Sequence, residues 1–146
     1  MLVDHKRRFI FVHVPRTGGH SAYEMMGIKE RSGLHYPRSH RKEKYFSFGF
    51  IRNPWDRMYS CYRKQSSVLE KHKGKTFKHY LFEGIQGNVV EHQAMWFLKG
   101  CDYIGMYETL QVDWNIINPL IGMPVKTLPR VNDCGSSDYH LHYDPE

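Results

Sequence analysis

The sequence predicts an α/β fold: a three-layer arrangement in which a mostly parallel sheet carries helices on both faces. Three observations carry that expectation. Short apolar runs of strand length alternate along the chain with longer segments of helical spacing. The runs 9–12 (FIFV) and 45–51 (YFSFGFI) are apolar nearly throughout rather than alternating, as in strands covered on both faces. The first run also passes through Pro15 into Thr17-Gly18-Gly19 and then a helix start. The 146 residues suit one domain, 1–146, with a single core.

The elements follow in order. Residues 9–12 are β-branched and aromatic and too few for a helix. Pro15, which has no ladder donor, stops that strand. A helix is expected over about 19–27, ending at Gly27. Residues 28–44 are polar and read as a loop, with a short strand at Leu34-His35-Tyr36 and a strongly basic stretch at 38–44. The second strand, 45–51, runs into Arg52-Asn53-Pro54, where Asn53 is an N-cap and Pro54 suits a helix first turn. A long helix then spans about 55–72, with Trp55, Met58, Tyr59, Tyr62 and Val68-Leu69 toward the core, and Lys73-Gly74-Lys75 breaks it. Helices over 77–82 and 88–98, a third strand over 103–107 and a helix over 109–120 come next. That last helix packs through Leu110, Trp114, Ile117 and Leu120. Residues 125–128 read as a short strand, and 132–146 as a polar tail.

Lys plus Arg number 21 against 15 Asp plus Glu, a formal charge of +6 beside ten neutral histidines. This balance favours an anionic ligand: a nucleotide, nucleic acid or acidic glycan. The three cysteines, Cys61, Cys101 and Cys134, are odd in number, scattered and without a C-x-x-C pair. They point away from a disulfide framework or zinc site and toward a reducing compartment. No stretch has the makeup of a signal peptide or the length of a membrane span, so the expected location is cytoplasmic.

Strand, glycine turn and helix start make the layout of a phosphate cradle: glycines admit an anion close to the backbone, and free N–H groups point at it. Arg16 adds a charge at its mouth. The Walker A pattern does not fit, because its first glycine falls on Val14 and its lysine on His20. The plain alternative is a strand–turn–helix joint without a ligand. Ligands of parallel sheets bind beyond the carboxyl ends of strands, where Arg52 also lies. Ser60, eight residues on, sits two turns into the following helix, where a guanidinium fork and a hydroxyl would reach one phosphate from different sides. Alone, that pair reads equally as an Arg52–Asp56 salt bridge beside an ordinary helical serine.

Together, these stretches resemble the sulfotransferases that use 3′-phosphoadenosine 5′-phosphosulfate (PAPS). Val14-Pro15-Arg16-Thr17-Gly18-Gly19-His20-Ser21 is similar to their P-K-T-G-G-T-S loop. Residues 48–62, FGFIRNPWDRMYSCY, are similar to the motif F-x-F-V-R-N-P-x-D-R-x-x-S-x-Y. Residues 102–110 resemble D-x-I-G-R-x-E-N-L, and Leu128-Pro129-Arg130-Val131-Asn132 with Tyr139 and Tyr143 resembles L-P-x-x-N…Y-x-x-Y. The nearest branch is the one that includes carbohydrate sulfotransferases. Two positions of the first loop depart from its pattern: Arg16 stands for lysine and His20 for threonine.

The resemblance implies a P-loop-kinase-like fold and transfer of a sulfonyl group to an acceptor hydroxyl or amine, with 3′,5′-ADP as product. Arg16, Thr17, Gly18, Gly19, His20 and Ser21 would hold the 5′-phosphosulfate, and Arg52 and Ser60 the 3′-phosphate. Arg16 would also offset charge on the leaving oxygen, and Tyr107 or a tail aromatic would meet adenine. His35 is the expected base, with His40, Glu91 and His92 as competitors. The acceptor would be a glycan; no metal and no nucleic acid are implied. Two rival classes stand beside it: a kinase or NTPase, which lacks its Gly-Lys-Ser/Thr loop here, and a non-catalytic basic protein binding polyanions.

Overall fold

A computed structural model describes residues 1–28, 45–84, 92–97, 100–129, 131 and 138–143. Strands β1 (Leu2–Asp4), β2 (Phe9–Val12), β3 (Phe46–Ile51) and β4 (Tyr103–Met106) form one sheet in the order β1-β2-β3-β4. β2, β3 and β4 run parallel, with Phe11 opposite Phe48 and Phe50 opposite Gly105. β1 is antiparallel to β2, so the sheet is mixed, with a parallel centre. β1 has no signal in the amino-acid pattern, because three residues show no period. Its return turn is local chemistry: the Asp4 carboxylate accepts from the Arg7 backbone N–H at 2.8 Å and from its guanidinium at 2.9 Å.

Among the described residues four α-helices accompany the strands: α1 (Gly19–Met25), α2 (Pro54–Val68), α3 (Phe77–His79), which runs on into a π-turn over Tyr80–Gly84, and α4 (Leu110–Leu120). Alternation along the strands divides the core. Phe9, Phe11, Phe48 and Phe50 face one way and pack against Ala22, Tyr23 and Met26 of the α1 region and Trp114 and Ile117 of α4. Ile10 and Val12 face the other way and pack with Met1 and Phe97. The second face is therefore covered differently from expectation: among the described residues, a 3-10 turn over Gln93–Phe97 takes the place of the helix expected over 88–98. Residues 88–91 and 98 of that expected helix lie outside the described residues.

Three further expectations need correction. Residues 125–128 form no strand and pair with none among the described residues. The Gln111 side chain of α4 serves them instead, accepting from Leu128 N at 2.7 Å and donating to Lys126 O at 3.2 Å. The tail is not structureless: Tyr139–His142 form a 3-10 turn against α2. There the Tyr143 hydroxyl donates to Trp55 O at 2.8 Å, and His142 stacks on Tyr59 at 4.3 Å. Finally, Trp55, Val68, Leu69 and Leu120 are exposed, not core. Tyr59 is buried as expected, in a cluster with Phe77 and Tyr80, but α2 also turns inward Arg57, Ser60 and Cys61, and Arg57 and Ser60 meet the loop after β2.

Asp113 ties β4 to α4. Its carboxylate accepts from the Tyr103 hydroxyl at 2.6 Å, the Thr109 hydroxyl at 2.6 Å and Met106 N at 2.9 Å. Burial alone would raise its pKa, but these three bonds outweigh burial and hold it below the usual carboxylate value. Asp113→Asn should therefore cost about 2 kcal/mol at neutral pH. A depressed folded-state pKa stabilises above the unfolded value of roughly 4, and the gain disappears as pH falls through the folded value. Urea unfolding should show the wild-type advantage over Asp113→Asn shrinking below about pH 4; a constant gap would refute it.

Candidate active site

The loop after β2 is set by its own residues. The buried Thr17 hydroxyl donates to Val14 O at 2.8 Å, closing a tight turn. Arg16 holds φ +69° and Gly18 φ +79°. Gly18 is N-cap of α1, and a Cβ there would approach Leu110 Cδ2 to 2.6 Å. At Gly19 a Cβ would overlap the His13 ring. The glycines are thus required by chain direction at one position and by close packing at the other. Gly19→Ala should cost about 1–3 kcal/mol through overpacking, read as a lowered denaturant midpoint; an unshifted midpoint would show that the loop yields freely.

Arg52 extends from the end of β3. Its backbone is bracketed by the Gln93 side chain, which accepts from Arg52 N at 2.7 Å and donates to Arg52 O at 2.6 Å. Gln93 thus supplies the ladder bonds of a missing strand neighbour. The Arg52 guanidinium donates from Nε to Asp56 Oδ2 at 2.7 Å and from Nη1 to Arg16 O at 3.2 Å, and it lies 4.1 Å over the Tyr107 ring. One face of Tyr107 is therefore taken by Arg52. Asn53 caps α2 through its side-chain oxygen, and its N–H donates to Glu108 at 2.7 Å, tying this corner to the turn after β4.

Ser60 is 7% exposed, and its hydroxyl accepts from Arg16 Nε at 3.0 Å. The structure therefore brings Arg16, Arg52 and Ser60 together through two hydrogen bonds. The Arg52–Asp56 salt bridge weighed as the plain reading is also present, at 2.7 Å. Ser21 is buried in α1 with its hydroxyl accepting from Val131 N at 3.4 Å, and the His20 ring meets His13 edge-on at 5.8 Å. His35, His40 and Glu91 lie outside the described residues. His92 is exposed, its Nδ1 accepting from Ala94 N at 3.2 Å.

The sequence reading gave no role to Arg57 or Gln93. Arg57 is 5% exposed, and its Nε donates to Pro15 O at 3.0 Å. A second arginine five residues after Arg52 was the available signal; Gln93 had none. Beneath them lies Cys61, whose thiol is pushed up by burial while Arg57, Arg16 and Arg52 act in the opposite direction. A cavity of about 780 Å³ opens beside Arg52 and Asp56, walled by Ile51, Phe97, Ile104 and Met106. Neither the glycine loop nor Ser60 lines it. Among the described residues there is no cluster of three or more His, Cys, Asp and Glu fit to hold a metal, and no helix long and apolar enough to cross a membrane.

An α/β protein with arginines gathered at the carboxyl ends of parallel strands is the class that fold and site define. The chain belongs to the sulfotransferase family, whose model matches residues 1–140. No curated protein and no solved structure matches it.

Proposed function

We propose that this protein transfers a sulfonyl group from PAPS to an acceptor hydroxyl or amine. The observation that carries the reading is the convergence of Arg16, Arg52 and Ser60 on one network, with Arg16 Nε on Ser60 and Arg52 Nη1 on the Arg16 carbonyl. The site suits a ligand with two anionic groups about one nucleoside. The Arg52 Nη2 group donates to no acceptor among the described residues, and Asp56 is the one carboxylate paired with Arg52 there. The parallel β2-β3-β4 unit and its glycine turn support the P-loop-kinase-like arrangement, with 1–146 read as one domain.

In this reading Arg52 and Ser60 grip the 3′-phosphate, which distinguishes the donor from ATP. The backbone of residues 17–21 and Arg16 hold the 5′-phosphosulfate. The acceptor oxygen or nitrogen attacks sulfur in line; the new bond to sulfur forms as the bond to the bridging phosphate oxygen breaks. The electron pair leaves on that oxygen, where Arg16 offsets the charge, and the acceptor proton passes to a base. His35 is the proposed base. The resemblance to the carbohydrate branch and the basic stretch 38–44 support a glycan acceptor. No step calls for a metal.

Calorimetry of 3′,5′-ADP beside 5′-ADP and Mg-ATP at fixed salt tests the reading. Tight binding of the 3′,5′ form alone is expected. Equal binding of all three, or preference for Mg-ATP, would overturn it in favour of a polyanion-binding protein or a kinase. His35→Ala should leave 3′,5′-ADP affinity unchanged and lower transfer about a hundredfold; undiminished turnover would move the base elsewhere.

A further inference from the structure

We propose that Arg57 is a positioning residue for the 5′-phosphosulfate, acting through the backbone of the loop rather than touching the donor; this rests on the donor site proposed above. Three observations converge on it. Arg57 is a buried arginine, 5% exposed, on the inward side of α2. Its Nε donates to the Pro15 carbonyl at 3.0 Å, while Arg52 Nη1 donates to the next carbonyl, that of Arg16, at 3.2 Å. The residue between these two grips, Arg16, sits at φ +69°, a backbone region that non-glycine residues seldom occupy.

A trans peptide is planar, with its C=O and the following N–H pointing in opposite directions. Holding the Pro15 carbonyl on Arg57 therefore turns the Arg16 N–H away from α2. Holding the Arg16 carbonyl on Arg52 likewise turns the Thr17 N–H away from the Arg52 guanidinium. Two successive amides are oriented by two arginines five residues apart in sequence, one at the end of β3 and one in the first turns of α2. The grips also hold Arg16 in its uncommon backbone state, from which its side chain reaches Ser60. Burying a guanidinium is costly, so a position against a backbone carbonyl under the loop calls for a return, and preorganised amides supply one.

The division of labour is directly measurable. Arg52 serves both ends of the donor, whereas Arg57 serves the 5′ end alone. Binding of 3′,5′-ADP and of adenosine 3′-phosphate would be compared by calorimetry in wild type, Arg57→Met and Arg57→Lys. In wild type the 5′-phosphate should tighten binding about a hundredfold. Arg57→Met should cut that gain to about tenfold or less while affinity for adenosine 3′-phosphate stays within about twofold of wild type. Arg57→Lys keeps the charge and one class of donor, and should retain a gain about threefold below wild type. An unchanged gain, or equal weakening of both ligands, would mean that Arg57 only packs the core, and the inference would be overturned. Should Arg57→Met not fold, Arg57→Lys decides by the same criterion. A wild type in which the 5′-phosphate adds affinity but the 3′-phosphate does not would overturn the donor assignment itself, a result distinct from failure of the Arg57 role.

Discussion

Arg52→Ala is expected to weaken 3′,5′-ADP binding about a thousandfold, a loss of about 4 kcal/mol. Three effects of the same sign add up. In the proposed site the 3′-phosphate would lose a charge-assisted fork, the strongest type of contact there. Asp56, now paired with Arg52 at 2.7 Å, becomes a bare carboxylate facing the incoming dianion. The Arg16 carbonyl loses its donor at 3.2 Å, so the loop that holds the other phosphate loosens as well. Arg52→Lys separates these effects: the charge remains but the fork and its stacking over Tyr107 do not, and a loss of about tenfold is expected. Calorimetry with the 3′,5′ ligand checks both; wild-type affinity in Arg52→Ala would remove the 3′-phosphate from this corner.

The second large effect belongs to Arg16→Ala, expected to lower single-turnover transfer by about 10²–10³. Charge grows on the bridging oxygen only as the sulfur–oxygen bond breaks, so a cation placed there favours the transition state more than the bound donor. Affinity for 3′,5′-ADP should fall much less than the rate. The guanidinium is tethered to Ser60 at 3.0 Å, so Ser60→Ala should release it and alter donor affinity and rate together. Arg16→Lys restores a cation of different shape and should recover most of the rate. Rate loss no greater than the loss of donor affinity in Arg16→Ala would reduce this residue to a binding contact.

Much of the parallel centre was legible because its signals are short-range. Phe9–Val12, Phe46–Ile51 and Tyr103–Met106 are apolar runs ended by proline or charge, and the Asn53-Pro54 pair marks the start of α2 by capping chemistry alone. The neighbourhood of Arg16, Arg52 and Ser60 was legible for a different reason: residues just after parallel strands lie at one edge whatever the helices do. What escaped depends on contacts distant in sequence. Gln93 acts as a strand neighbour for Arg52 across 41 residues, and Gln111 does so for Leu128 across 17. A side chain replacing a backbone partner leaves no trace in periodicity. The inward side of α2 was read correctly at Tyr59 and missed elsewhere for the same cause. Hydrophobic spacing selected Trp55 and Val68, whereas the helix lies over a polar loop and turns Arg57 and Ser60 inward.

Arg16, Arg52 and Arg57 lie close enough together for all three to act electrostatically on Cys61. Like charges held this close repel one another, with Asp56 as a counterweight beside Arg52. Simple oxyanions of an ordinary buffer relieve that repulsion, and whatever binds only the folded chain raises its melting temperature. With the proposed donor site in place, phosphate or sulfate in a storage solution would be a competing ligand and a stabiliser at once. Donor affinity and stability are then expected to move in opposite directions with the choice of buffer, so the two quantities are comparable only when the background anion is held the same.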